Sequence, residues 1–434
     1  VILAVTTIGI LMSIPGQTAG VSVFTDPLLA ATGLSRLALS NAYLIGTLAS
    51  GFLLPFGGVF IDRFGARLVV VASSLWLALT LVYLSVSDRI AQWFSTLFAL
   101  ESSLPVAFGL LCLGFVSLRF SGQGMLTLVS RTTLGKWFDR RRGMASGTSG
   151  IFVSFGFSAA PLLLSVCIDG LGWRGAWLAL AALVGLGMGT LGWLWYRDNP
   201  EECGLVMDGF GSPADIAPRQ PMAAKTAATK SGQHYSGTSG DFTRGEALKT
   251  LAFWAVTFAL ASQALTITGI TFHIVDIGAA AGLPQKQTVA LFLPIGIIAT
   301  ATGYLIGVMS DRARLKLLFI GMMVFEAMGI VGMAHLDNGL LQIMAITGLG
   351  ISGGCFGTLS TVTMPRYFGR QHLGAIAGVE MMTLVFASAI GPSLLALFND
   401  WFGSYQLGLY LCAGLPLAVN LLLLPSGNPQ RQSR

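Results

Sequence analysis

Arg119 is the residue in this sequence that most demands a chemical explanation. It lies in LGFVSLRFSGQG, deep in a run otherwise free of charge. A guanidinium in apolar surroundings needs an anionic partner, and its planar fork matches a carboxylate with two parallel hydrogen bonds. Gln123, four residues on, falls on the same helical face, and Gly122 and Gly124 leave room for close approach. Two kinds of partner are open: an anionic ligand, or a carboxyl group of the chain itself, for which Glu380 is the obvious choice. A carboxyl in an apolar run can also carry a proton. Competition between that proton and a guanidinium would couple proton movement to anion binding. Glu326 sits in a similar run, where an interhelical hydrogen bond is the expected role. No phosphate-cradling GxxxxGK[ST] loop, no paired histidines at metal spacing and no serine elbow occur. An enzyme is therefore not expected, nor a cofactor or metal.

The elements that hold these residues are set by composition. The chain has 434 residues, of which 54% are hydrophobic and 10% charged. Its mean hydropathy is +0.74. A soluble protein of this size needs far more polar surface. Many stretches run about 20 residues without charge, enough to cross roughly 30 Å of hydrocarbon. The expected fold is an all-α membrane protein of twelve transmembrane helices, because the ~10-residue alternation of a membrane barrel is missing. The helices are expected near 1–25, 37–61, 67–87, 104–134, 143–168 and 172–196, then 249–276, 287–310, 316–335, 339–365, 373–397 and 405–425. The domains are thus a first six-helix half (1–196), a Gly-, Ser- and Pro-rich linker (197–248), a second half (249–425) and a tail (426–434). Within the linker, Thr243 three residues before Glu246 fits a capping box.

Charge asymmetry orients the chain. Of its 25 Lys and Arg, 20 fall on the linker side, Arg131 among them. Four (Arg36, Arg89, Arg174 and Lys286) fall on the other side, and Arg119 lies within a span. Cytoplasmic segments are enriched in Lys and Arg, so the linker and both termini are expected in the cytoplasm, in the cell membrane. The net charge of +6 is then topology and not a nucleic-acid footprint. The five cysteines are scattered, without redox or metal spacing. The first apolar run begins at Val1 with no initiator Met, so the chain is expected to continue upstream. After Asp88, residues Ile90, Trp93, Phe94, Leu97 and Phe98 form one apolar helical face. This segment is either an interfacial helix on the outer leaflet or an extension of a neighbouring span.

The two halves echo one another. GGVFIDRFGAR (57–67) matches IGVMSDRARLK (306–316), aligning Gly58 with Gly307, Asp62 with Asp311, Arg63 with Arg312 and Arg67 with Lys316. WFDRRRGMASG (137–147) matches YFGRQHLGAIAG (367–378), and Pro161 and Pro392 follow at equal distance. Three echoes in one order imply an internal duplication. Parallel repeats of this kind are a known transporter plan, with the substrate held near the midplane.

The first of these stretches resembles the loop signature G-x-x-x-D-R-x-G-x-R of the major facilitator superfamily, including Gly58, Asp62, Arg63, Gly65 and Arg67. The helix 4–5 loop is similar to that of its monocarboxylate and oxalate–formate branch. That branch's acidic-Gly-Gly-Trp pattern in helix 1 and its arginine in helix 8 are both missing here. The resemblance implies that helices 1, 4, 7 and 10 line a central cavity. Arg119 and Gln123 would face it from helix 4, and Gln17 from helix 1, where Pro15 and Gly16 loosen the helix. Gln263 and His273 would face it from one stripe of helix 7. Glu380, Asp276 and Asp26 are the candidates for proton coupling. Asp62 would cap the eleventh helix near Leu373, oriented by Arg63 and Arg67, and Asp311 would cap the fifth near Gly143. Both contacts would form only with the cytoplasmic side closed.

The expected function is secondary transport of a small organic anion, a monocarboxylate or dicarboxylate, with protons or a counter-anion, by a monomer in the lipid bilayer. A drug or anionic-siderophore exporter of the same fold is the alternative. A transporter-like ligand sensor is the alternative of another class.

Overall fold

The computed structural model describes residues 1–209 and 240–432, so the middle of the expected linker and the last two residues lie outside the described residues. Among the described residues the structure is helical, with no strand. Ten helices are long and apolar enough to cross a membrane, and a shorter apolar one spans Ile2–Gly16. We label the principal helices α1 (Ile2–Leu11), α2 (Arg36–Phe64), α3 (Ala66–Ser85), α4 (Leu104–Trp137), α5 (142–171), α6 (173–195), α7 (Leu251–Ala280), α8 (Phe292–Ser310), α9 (Leu315–Met333), α10 (Gly339–Phe368), α11 (Leu373–Phe402) and α12 (Gln406–Leu423). Helices α5 and α6 form one continuous run that breaks at Gly172, whose φ of 69° ends regular helix.

Local chemistry sets the ends. The Ser35 hydroxyl accepts from the Ala38 amide to start α2, Thr250 does the same for α7 at Phe253, and the Asn338 carbonyl oxygen accepts from Leu340 to start α10. At the turn between α2 and α3, Gly65 adopts φ 81°. The Asp198 carboxylate then accepts from the Ala66 and Arg67 amides and caps α3.

Two spans are less regular than their hydropathy suggests. The segment expected as one helix over 1–25 is broken. A 3-10 turn over Ile14–Gly16 leads into extended backbone at Gln17 (φ −87°, ψ 159°), and short helices follow at Thr18–Ser22 and Thr25–Thr32. Pro15 supplies no amide to the helix, which is the physical cause. Facing this break, α4 widens into a π-helical stretch over Arg119–Leu126. Such bulges cluster at functional sites.

Buried apolar side chains divide by sequence. One cluster is drawn from residues 5–196, and two others from residues 247–423. The segment after Asp88 is a helix of its own, Ser87–Leu97. It buries Ser87, Ala91 and Ser95 and exposes Trp93, Leu97 and Phe98. Both carboxylate oxygens of Asp88 accept from the Arg174 guanidinium, at 2.8 and 2.6 Å. Burial acts to raise the Asp88 carboxyl, but this paired bond and the charge of Arg174 together hold it below its ordinary value.

Candidate functional site

Arg131 is the cation on the wall of a cavity of about 190 Å³, formed by α1, α4, α5, α8 and α10. Hydroxyls of Ser146, Ser149, Thr300 and Thr361 share that wall. Arg131 also reaches a smaller gap of about 20 Å³ between α4, α10 and α11, where it shares the wall with Glu380. Glu380 is 4% exposed, and its Oε1 has no hydrogen-bond partner. The charged group that acts on Glu380 is Arg131. The expected pairing of Arg119 with Glu380 is therefore corrected: the guanidinium facing Glu380 lies twelve residues further along the same helix.

Sequence reasoning missed Arg131 by counting it with the inner-side charges. A signal was present. Residues 123, 127 and 131 are spaced by four, so steps of about 40° lead from Gln123 through Thr127 to Arg131 along one side of the helix.

Arg119 occupies a different environment. It is 2% exposed, and its Nη1 donates to the Gly16 carbonyl (3.2 Å) and the Thr18 hydroxyl (3.4 Å). Its guanidinium stands over the Tyr43 ring at 5.2 Å, and its Nε has no partner. Its partners are thus carbonyl, hydroxyl and ring of the first half, at the break after α1. Gln17 lies beside it in sequence but bonds Ser13 (3.1 Å) and Thr127 (3.4 Å). The Oε1 atoms of Gln123 and Gln263 are buried without partners. Gln263 itself is 1% exposed and lies next to Gly353, a wall residue of the cavity.

His273 is not brought together with either arginine. Its Nε2 donates to the Pro392 carbonyl of α11 at 2.9 Å, and its Nδ1 lies 3.3 Å from the hydroxyl of Tyr405, which precedes α12 and donates to Asp276. Asp276 stands 3.9 Å from Nδ1 with its side chain largely exposed. The stripe on α7 therefore splits, with Gln263 toward the cavity and His273 tied to α11 and α12. Asp26 is exposed in the first turn of the Thr25–Thr32 helix. Glu326 shows the expected interhelical bond: its Oε1 accepts from Ser262 (2.9 Å) and Thr266 (2.8 Å) of α7.

The repeated charged stretches meet helix N-termini of the opposite half. Asp62 accepts from the amides of Gly374 (2.9 Å) and Ala375 (2.7 Å) at the start of α11. Asp311 accepts from Gly143 (2.7 Å) and Met144 (3.2 Å) at the start of α5. Burial pushes the Asp311 carboxyl up, against the pull of these two amides. A Cβ on Gly58 would collide with the Gly374 carbonyl, and one on Gly307 with that of Gly143, so the contact requires glycine on both sides of the duplication.

The role expected of the flanking cations is corrected. Neither Arg63 nor Arg67 touches Asp62. Its ion-pair partner is Lys136 of α4, at 3.5 Å. Arg63 lies over Phe64, and Arg312 is exposed. Arg67 instead donates to the Trp193 carbonyl (2.7 Å) near the end of α6 and stacks on that indole. Its counterpart Lys316 donates to the Leu424 carbonyl just past α12. The aligned cations thus perform one job, tying the start of a third helix to the end of a sixth in each half.

The linker's described ends are built into the same face. The Asp208 carboxylate accepts from the amides of Asp139, Arg140 and Arg141, and that of Asp241 from Arg370 and Gln371. These are the equivalent loops before α5 and α11. The Thr243–Glu246 capping box is present.

The family model that matches this arrangement is the Major Facilitator Superfamily, over residues 5–392. The chain belongs to that superfamily. It is a membrane transporter by family, and not an enzyme. Among curated proteins it is similar to monocarboxylate transporter 4 of Gallus gallus, 24% identical over 381 residues, covering 86% of this chain and 71% of that one. It is also similar to the oxalate:formate antiporter of Oxalobacter formigenes, 24% identical over 237 residues, covering 54% and 45%. Among solved structures, a bacterial homologue of the iron transporter ferroportin in its outward-facing state superposes with a TM-score of 0.66 at 15% identity, each chain covered completely. The human organic anion transporter MFSD10 gives 0.59 at 14%, covering 97% and 98%. At these identities the superpositions speak for the fold.

Proposed function

We propose that this superfamily member carries a small organic anion across the cell membrane by alternating access, with a proton on Glu380 as the coupling ion. The observation that carries the reading is Arg131, a lone guanidinium on the wall of a small cavity rich in hydroxyl groups, facing Glu380 across a gap. Counting the run 142–195 as two spans, and residues 2–32 as one broken span, gives twelve helices. They form two halves with the linker and both termini in the cytoplasm.

The electrostatics favour coupling. Unloaded, Arg131 and Glu380 together are neutral. An anion alone, or a proton alone, leaves net charge in apolar surroundings, which is costly. Anion and proton together restore neutrality. The cavity is smaller than the ~300–1,000 Å³ common for drug-sized ligands, which disfavours a drug or siderophore as cargo. The names of the relatives, a monocarboxylate transporter and an oxalate:formate antiporter, support a short carboxylic acid. Arg119 and Gln17 tie the break after α1 to α4. The paired Asp62 and Asp311 contacts close the cytoplasmic side.

The test is uptake of labelled acetate, butyrate, lactate and oxalate into proteoliposomes under an imposed pH gradient. Uptake of at least one acid, lost in Arg131→Gln and freed from the pH gradient in Glu380→Gln, is expected. Failure of the wild-type chain to take up any of them, or unchanged affinity in Arg131→Gln, would overturn the reading.

A further inference from the structure

Six glycines line the cavity, and a Cβ added to each would meet different surroundings. At Gly147, Gly303 and Gly354 it would touch a neighbouring helix, with nearest atoms at 3.1 Å, 3.4 Å and closer. Those three let helices approach, as small residues commonly do in membranes. At Gly150 and Gly357 a Cβ would meet nothing within 4 Å, and at Gly353 only Ala299 and Gln263, at 3.9 and 4.0 Å. Glycine inside a helix is less favourable than alanine by roughly 0.5–1 kcal/mol, so these positions need a reason. Helix packing does not supply one. Gly353 and Gly357 are four apart on α10, on one face, and Gly150 faces the same space from α5.

The charged group on the same wall is Arg131. Gln263, 1% exposed, lies behind Gly353, with its Nε2 4.0 Å from where a Cβ on that glycine would stand and its Oε1 closed off without a partner.

We infer that Gly150, Gly353 and Gly357 set the length of cargo this protein accepts, by leaving open the part of the cavity that takes the chain of an acid whose carboxylate is held at Arg131. This rests on the proposed function and deepens it. The cargo's carboxylate end lies toward α4, its chain lies along the open faces of α5 and α10, and Gln263 borders the far end. A methyl group on any of these three positions shortens the space without a clash, meeting nothing at Gly150 and Gly357 and only ordinary contacts at Gly353, so the helix still forms.

The test uses the full chain in proteoliposomes, with labelled acetate and butyrate as short and long probes. Each surplus methylene in a filled pocket changes discrimination by about 10- to 200-fold. Gly353→Ala and Gly357→Ala are each expected to lower the butyrate-to-acetate ratio of uptake affinity by at least about tenfold, and the double variant further. Gly185→Ala, away from the cavity wall, whose methyl would press on Ala78, is the packing control; it is expected to lower protein yield or thermal stability and to leave the ratio alone. Wild-type uptake of both acids, with a ratio unmoved in Gly353→Ala and Gly357→Ala, would overturn the inference while leaving the transport reading intact. Wild-type uptake of neither acid, nor of lactate or oxalate, would overturn the transport reading and the inference with it.

Discussion

Replacing Asp62 by Asn should open the cytoplasmic side without altering the cavity. The carboxylate serves two amides, Gly374 and Ala375, and pairs with Lys136. Asparagine keeps a single acceptor oxygen, so one amide loses its partner. Lys136, itself 8% exposed, loses its counter-charge. Hydrogen bonds to a charged group contribute roughly 1.5–3 kcal/mol. A carboxylate at a helix N-terminus contributes 0.3 to about 2 kcal/mol. The two descriptions overlap, so a combined loss of about 2 kcal/mol is a fair value, which is about 30-fold in the ratio of closed to open molecules. The side chain is only 10% exposed, so salt will screen the effect weakly. The assay is thiol labelling from the cytoplasmic side at a single cysteine introduced at Thr361, on the cavity wall, after the five native cysteines are replaced. The labelling rate should rise by up to about 30-fold, and Asp62→Asn with Asp311→Asn should add, because the two contacts share no partner. A change below twofold in both the single and the double variant would refute the latch.

Three further outcomes follow from named contacts. Gly58→Val should act in the same direction as Asp62→Asn in the labelling assay, because its side chain would strike the Gly374 carbonyl. Glu326→Ala should lower thermal stability, by an amount of order 1–3 kcal/mol for the Ser262 hydroxyl left unpaired, whereas Glu326→Gln keeps an acceptor and should lie within about 1 kcal/mol of wild type. The Asp88–Arg174 pair should fix the helix Ser87–Leu97 at neutral pH. Since the folded carboxyl is held below its ordinary value, this anchoring is complete above the unfolded carboxylate range near 3.9 and is lost only as pH falls through the lower folded value. Amide exchange over 88–97 should therefore stay slow at pH 5 in the wild type and be fast at that pH in Arg174→Gln.

Much of the fold was legible because membrane spans are written in composition. Uncharged runs suffice to place most of the long helices, and the echoed D-R motif marks where two of them end. The contacts of Asp62 and Asp311 were legible for a related reason. A carboxylate beside a glycine, repeated at the same spacing, has few uses other than meeting a helix N-terminus at close approach. The break after Gly16 was announced by Pro15, yet its extent was not, because proline says where a helix loses an amide and not how the chain resumes. The partners of Arg63, Arg67 and His273 were out of reach. Long side chains on helix ends can turn toward several neighbours, and nothing local selects the Trp193 carbonyl for Arg67 or the Pro392 carbonyl for His273.

Arg131 exposes a deeper ambiguity in reading such chains. Near the inner end of a span, a cation serves topology whether or not it serves anything else, so a count of charges absorbs it without remainder. Two facts separate the roles, and only one of them is in the sequence. Four-residue steps from Gln123 through Thr127 bring Arg131 within about 80° of the Gln123 side of α4. That Glu380 stands opposite depends on how α11 crosses α4, which no local pattern encodes. Arg119 shows the converse. It looked like the ligand-binding charge because it is the more deeply placed, but at the π-helical stretch of α4 its guanidinium meets the carbonyl of Gly16, freed by the break that Pro15 makes. Depth in the membrane measures what a charge must be offset by, and a freed backbone carbonyl offsets it in part. On the proposed function, the arginine on the wall of an open space and opposite a carboxyl is the one whose charge is left for cargo.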